Sequence, residues 1–196
     1  QTTAPDVCER SELDRWILSE LNELVEGVTE SLESYEPDRA ARLVEKFVEY
    51  LSNWYVRRSR RRFWRAGVIG AGADDTDKLS GYATLYECLT TTVKLIAPVM
   101  PFVTDVIYRN LVARNYPEDS TTTPISVHLA DYPKTDITLI NRSLSDSTRL
   151  AMTLSSLGRA ARSKAGIKVR QPIAMAFVSL RSEEERELLA EVTTQI

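Results

Sequence analysis

The chain has 196 residues, 43% of them hydrophobic and 27% charged, with a formal net charge of −3. This suffices for one globular domain, or one domain and part of another, and no apolar run reaches the roughly 20 residues that a membrane helix requires. Two cysteines (Cys8, Cys88), one histidine (His128) and no CxxC argue against a disulfide framework and against a metal site. The opening QTTAPDVCER has neither the basic start nor the apolar core of a signal peptide, and it lacks an initiator Met. An excised fragment of a cytoplasmic protein is therefore expected.

Leu13, Ile17, Leu21, Leu24, Val28 and Leu32 recur at three- and four-residue steps, which predicts a long amphipathic helix capped by SELD (Ser11–Asp14). Pro37 opens a second helix, whose inward sector holds Ala40, Leu43, Val44, Phe47, Val48, Leu51, Trp54 and Tyr55. Gly67–Asp77 reads as a loop, with glycines in neither standard phosphate-binding spacing. A third helix is expected over 77–97, with Tyr82, Tyr86, Leu89, Val93 and Ile96 inward. Pro98 stops it, and Pro101 opens a fourth through about Asn115, with Val103, Val106, Ile107 and Leu111 inward.

Glu118–Pro124 reads as a polar loop and SVHLADYP (Ser126–Pro133) as an extended connector. A fifth helix is expected over 136–164, with Ile140, Leu144, Ala151, Leu154, Leu157 and Ala161 inward. Gly166 then changes the period: Ile167–Leu180 is β-rich and Glu183–Val192 is helical again. The fold expected is mainly α, an antiparallel bundle of about five helices with a short β-containing C-terminal tail. Residues 1–165 form the helical domain in this reading, and 166–196 the start of a C-terminal α+β region.

Charge is unevenly spread. The first fifty residues carry thirteen acids and five bases, whereas Asn53–Arg65 carries six bases and no acid. Leu157–Ser182 is a second acid-free basic stretch. At 100° per residue the apolar sector of the second helix hands over to Arg58, Arg61, Arg62 and Arg65. Guanidiniums cannot enter a core unpaired, so the helix either breaks near Arg57 or projects beyond the bundle. One reading is a solvated helix end, its arginines pairing with acids of the first helix. The other is contact with a polyanion, because arginine forks match phosphate oxygens and aromatic faces stack on unpaired bases. Trp54 and Tyr55 suit the core, while Phe63 and Trp64 are the better candidates for contact.

The stretch from LDRWILSEL to NWYVRRSRRRFW resembles the anticodon-binding helical domain of class I aminoacyl-tRNA synthetases, the isoleucyl branch most of all. DKLSGYATLYECLTTTVKLIAPVMPFVTDVIYRNL, SVHLADYP and KAGIKVRQP continue that resemblance, which runs from Leu13 to about Phe177. It implies an RNA-binding module that grips the anticodon arm of an isoleucine tRNA. Arg57, Arg58, Arg60, Arg61, Arg62, Trp64 and Arg65 would make the contacts, with Arg162, Lys164, Lys168 and Arg170 from the second basic stretch. It also implies partners in the remaining synthetase domains, a monomer, and a parent that uses ATP and Mg. The family's HIGH and KMSKS signatures are absent from these residues, so no catalytic or metal-binding residue is assigned and the chain alone should not aminoacylate. A valyl or leucyl counterpart, or a helical protein-interaction module with a basic end, are the alternatives.

Overall fold

Ser11 accepts a hydrogen bond from the Asp14 amide at 3.3 Å and so caps helix α1, Glu12–Glu33. A computed structural model of the chain describes residues 4–64, 73–115 and 123–192. Every residue from 16 to 22 is buried, so α1 is covered well beyond one stripe, and two of its polar bonds close within the helix. Trp16 Nε1 donates to Glu20 Oε1 (3.2 Å) and Asn22 Nδ2 to the Leu18 carbonyl (2.9 Å). The helix closes with Tyr35 in the left-handed region (φ 58°), which lets the Glu36 amide reach the Ser31 carbonyl at 2.8 Å. Helix α2, Pro37–Glu49, starts at once, with proline in its first turn.

Helix α2 neither breaks at Arg57 nor continues in regular α form. It passes into a π-helical segment, Tyr50–Val56, and then into α3, Arg57–Trp64. The buried series is Ala40, Val44, Phe47, Leu51, Tyr55 and Ser59. From Phe47 onward it advances in steps of four, and each such step overshoots an α-helical turn by about 40°. The wider π turns absorb that drift and keep the stripe on the core. The phase expected from a regular helix is corrected accordingly: Ser59 and Arg62 face inward, Arg58 and Arg61 outward, and Val48 is exposed.

Helix α4 (Ala73–Ile96) and α5 (Pro101–Leu111) complete the first of two compact units, residues 1–140. Residues 73–77, expected in a loop, are helical, and the rest of that loop lies outside the described residues, as does most of 118–124. In this unit α1 packs against α2, the π segment and α4, while α4 packs against α3 and α5. The inward faces of α4 and α5 differ from expectation. Ser80, Thr84 and Cys88 are buried on α4, and Thr104 and Tyr108 on α5, whereas Tyr82, Tyr86, Leu89, Val103, Val106 and Ile107 are exposed. Small side chains let helix backbones approach closely; Ser80 returns its hydroxyl to the Thr76 carbonyl (2.8 Å) and Thr104 to that of Met100 (2.7 Å), while the Thr84 hydroxyl accepts from Arg10 Nη1 (3.1 Å).

SVHLADYP is not extended: it forms a 3-10 turn, Val127–Leu129, because Ser126 caps the His128 amide. The fifth predicted helix begins later than expected. Asp136 bonds Thr138 to make a separate 3-10 turn (Ile137–Leu139), and Asn141 then caps α6, Arg142–Lys164. Helix α6, the segment after it and α7 (Glu183–Val192) belong to the second unit, residues 141–196. Ala151 is buried there, but Leu157 and Ala161 are exposed. Among the described residues no strand forms. Ile167–Leu180 has the composition for one but no neighbouring strand to take up its backbone groups.

The end of α3 is fixed by one buried node. Asp14 is wholly buried, and Arg62 grips it with two bonds, Nη1 to Oδ1 at 2.9 Å and Nη2 to Oδ2 at 2.7 Å. Tyr55 donates its hydroxyl to Oδ1 (2.5 Å) and Ser11 to Oδ2 (2.7 Å). Arg62 also bonds the Asp77 carbonyl and pairs with its carboxylate, at 2.7 and 2.9 Å, tying in α4. Gly81 makes room: a Cβ there would stand 3.2 Å from Arg62 Cζ and from Phe63. Burial alone would raise the Asp14 carboxyl, but bonds from Arg62, Tyr55 and Ser11 and the Arg62 charge outweigh it and hold the group below its usual range.

Removing one partner of such a pair strands a buried charge. Arg62→Met should cost about 3–5 kcal/mol in urea unfolding at neutral pH, and adding Asp14→Leu should recover most of that loss. The depressed Asp14 value gives stability that is complete above the unfolded aspartate value of about 3.9 and is lost as pH falls through the lower folded value. The gap between wild type and Arg62→Met should therefore narrow when unfolding is repeated below about pH 4.

Candidate nucleic-acid interface

With Ser59 and Arg62 turned inward, the remaining arginines of α3 share the outward side. Arg57, Arg60, Arg61 and Trp64 stand at i, i+3, i+4 and i+7, so they form one face, and Arg58 borders it. Trp64 is 77% exposed. The Arg60 guanidinium lies 5.9 Å from the Trp64 ring centroid, and that of Arg58 lies 5.7 Å from Trp54. Each aromatic thus holds a guanidinium near its face, a contact that costs little hydration. Among the described residues Arg57, Arg60 and Arg61 make no ion pair, and α3 contains no acid. Of the three, only Arg61 stands in the last described turn of α3, and the mutual repulsion of such closely spaced cations is relieved by a polyanion.

The expected site residues therefore divide by role. Arg57, Arg58, Arg60, Arg61 and Trp64 are outward. Arg62 is not available to a ligand, because its fork is filled by Asp14 and Asp77. Phe63 packs against Tyr82, ring centroids 5.0 Å apart, with the Tyr82 hydroxyl on the Phe63 carbonyl (3.3 Å), so it belongs to the scaffold. Arg65 lies outside the described residues. Sequence reasoning did not single out Asp14 beyond its place in the cap, although the acidic first helix was a marked source of counter-charge.

The second basic stretch lies on the second unit. Helix α6 ends on Gly166 (φ 67°), with the Ile167 amide on the Arg162 carbonyl (2.9 Å) and the Gly166 amide on that of Ser163 (3.2 Å). Arg162 Nη1 donates to the carbonyls of Lys168 (3.1 Å) and Gln171 (2.8 Å), which folds 166–171 back onto the helix end. Arg162 thus holds the turn, while Lys164, Lys168 and Arg170 are exposed. Lys168 and Arg170 lie in a turn rather than in the β-rich segment expected from Ile167, since the Lys168 carbonyl accepts from the Gln171 amide (3.0 Å).

The chain matches the family model described as the anticodon-binding domain of tRNA ligase over residues 14–178. It is 51% identical over 185 residues to an isoleucine–tRNA ligase of Dehalococcoides mccartyi (strain ATCC BAA-2266), covering 94% of this chain and 17% of that protein. It is 45% identical over 184 residues to that of Porphyromonas gingivalis, covering 93% and 15%. To that of Thermus thermophilus it is 42% identical over 188 residues, covering 95% and 17%. The chain thus spans about one sixth of the length of these relatives. On this match, with an all-helical body presenting an arginine face, the chain belongs to the anticodon-binding domain family of tRNA ligases.

Proposed function

We propose that the chain binds the anticodon arm of an isoleucine tRNA, as the anticodon-binding domain of an isoleucine–tRNA ligase. The observation that carries this reading is the outward face of α3, where Arg57, Arg60 and Arg61 make no ion pair among the described residues and sit beside an exposed Trp64. Arginines suit phosphate oxygens, and an exposed indole suits an unpaired loop base better than a duplex. The parent enzyme, a cytoplasmic monomer in this reading, would join isoleucine to tRNA with ATP and Mg. That chemistry belongs to a catalytic core whose signatures lie outside these residues, so the chain by itself should show no aminoacylation. Among the described residues no helix is long and apolar enough to cross a membrane.

Binding to an isoleucine tRNA transcript should weaken with salt, because each neutralised phosphate contributes about −0.7 to the log–log slope. Replacing Arg57 and Arg61 together by alanine should flatten that slope by about 1.4 while leaving thermal stability near wild type. An unchanged slope would instead favour a face that packs against protein. Trp64→Ala should lower affinity by roughly 5- to 150-fold if the indole stacks on a base, a contact worth about 1–3 kcal/mol. A transcript carrying a valine anticodon should bind more weakly than one carrying the isoleucine anticodon, and the opposite order would reassign the ligase.

A further inference from the structure

Helix α5 is patterned the wrong way round for a domain that works alone. Thr104 and Tyr108 turn inward, Tyr108 into a cluster with Val93, Ala97, Val112 and Val127. At 100° per residue, Phe102, Val103, Val106 and Ile107 then fall in the opposite sector, with Asn110 among them and Arg109 at its edge beside Phe102. Phe102 is 88% exposed and Val106 58%, and Leu129, on the 3-10 turn packed against α5, is 68% exposed. The charged residues at the rim are engaged. Asp105 pairs with Arg109 at 2.7 Å, and its other oxygen accepts from the Ser126 hydroxyl (2.5 Å) and the Val127 amide (3.2 Å). Those bonds, with His128 Nε2 3.2 Å from the Pro101 carbonyl, fix the Leu129 turn to α5, so the apolar surface is preformed.

Contiguous exposed apolar surface of this kind marks an interaction site. A polynucleotide fits it poorly: Arg109, the cation of α5, is already paired with Asp105, so little is gained by neutralising a phosphate there. It also lies away from the arginine face. Gly81, near the start of α4, touches Arg62 and Phe63, whereas α5 begins beyond the other end of α4, roughly 25 Å along the helix. The occupant follows from the size of the ligases: this chain matches only 17% of the length of the D. mccartyi relative, so most of such a polypeptide lies outside it. We propose that the outer face of α5, with the Leu129 turn, is the seat of another folded domain of the same ligase polypeptide. This rests on the chain being part of such a ligase, and not on the arginine face binding RNA.

Thiol labelling tests it with little disturbance to the fold. In a Cys8→Ser background, Val106→Cys places one reactive thiol on the face of the 196-residue chain, since Cys88 is buried, and in both polypeptides labelling is read by mass spectrometry on the peptide that carries residue 106. Val103→Cys serves as the second variant. Each labelling rate is normalised to the same polypeptide in denaturant and measured in the 196-residue chain and in the full-length ligase. Labelling is expected to be at least about tenfold slower in the full-length ligase, the protection expected of a site open less than about a tenth of the time, with no effect of added tRNA. Equal rates in the two polypeptides would overturn the proposal. So would protection that appears only with tRNA, which would give the face to RNA. Rates in the 196-residue chain that fall with its own concentration would give it to a second copy and equally overturn the proposal. The Arg57/Arg61 double variant leaves all these rates unchanged, so failure of the RNA reading and failure of this one are told apart.

Discussion

Asp14 is a carboxylate with no access to water, and one side chain, Arg62, supplies its counter-charge. Those two residues are 48 apart in sequence and lie on different helices. Satisfying Asp14 therefore fixes the helical phase of the whole arginine run. Once Arg62 is inward, Ser59 is inward one turn earlier, and Arg57, Arg60, Arg61 and Trp64 have no place but the outside. A buried ion pair of this kind contributes little net stability over a well-packed apolar pair, because desolvation offsets most of the attraction. Its effect here is on register: it selects one of several ways in which a helix with five closely spaced arginines could face its neighbours.

The π-helical segment is the device that makes the pairing possible. A regular α-helix from Pro37 would carry its inward stripe from Tyr55 onto Arg58, Arg61, Arg62 and Arg65, leaving four guanidiniums to be paired. The widened turns over Tyr50–Val56 replace Arg58 by Ser59 at that step. One arginine then meets one buried acid and one half-exposed acid, Asp77, while the rest stay hydrated. The sequence carries a sign of this in the four-residue spacing of Phe47, Leu51, Tyr55 and Ser59, which is too wide for a 3.6-residue period.

Local signals were legible where chemistry acts within a few residues. The Ser11 cap, the proline starts at Pro37 and Pro101, and the glycine stop at Gly166 all stand where the sequence puts them. The arginine run was legible as a surface, but not which arginine would be withheld from it, because Arg62 is chosen by a partner 48 residues away. The faces of α4 and α5 were misread for a related reason. Tyr82, Tyr86 and Leu89, like Val103, Val106 and Ile107, have apolar helical spacing, and that spacing says only that a face resists water. It does not say which neighbour covers it. The faces that α4 and α5 turn inward include Ser80, Thr84, Cys88 and Thr104, side chains that a hydropathy pattern does not mark as core. The apolar composition of Ile167–Leu180 likewise states a preference for a strand, which backbone pairing must complete.

Two surfaces of opposite character thus sit at opposite ends of α4, and neither can take the other's partner at comparable cost. A protein domain seated dry on Arg57, Arg60 and Arg61 would have to bring acids of its own, since each unpaired guanidinium costs several kcal/mol to desolvate. RNA laid over Phe102 and Val106 would gain little counterion release and would leave its phosphates facing hydrocarbon. The division follows from where charge can be hydrated. With Arg62 drawn inward to Asp14, the end that keeps water and cations suits a polyanion. The end whose rim charges, Asp105 and Arg109, are already paired is free to exclude water against another apolar surface.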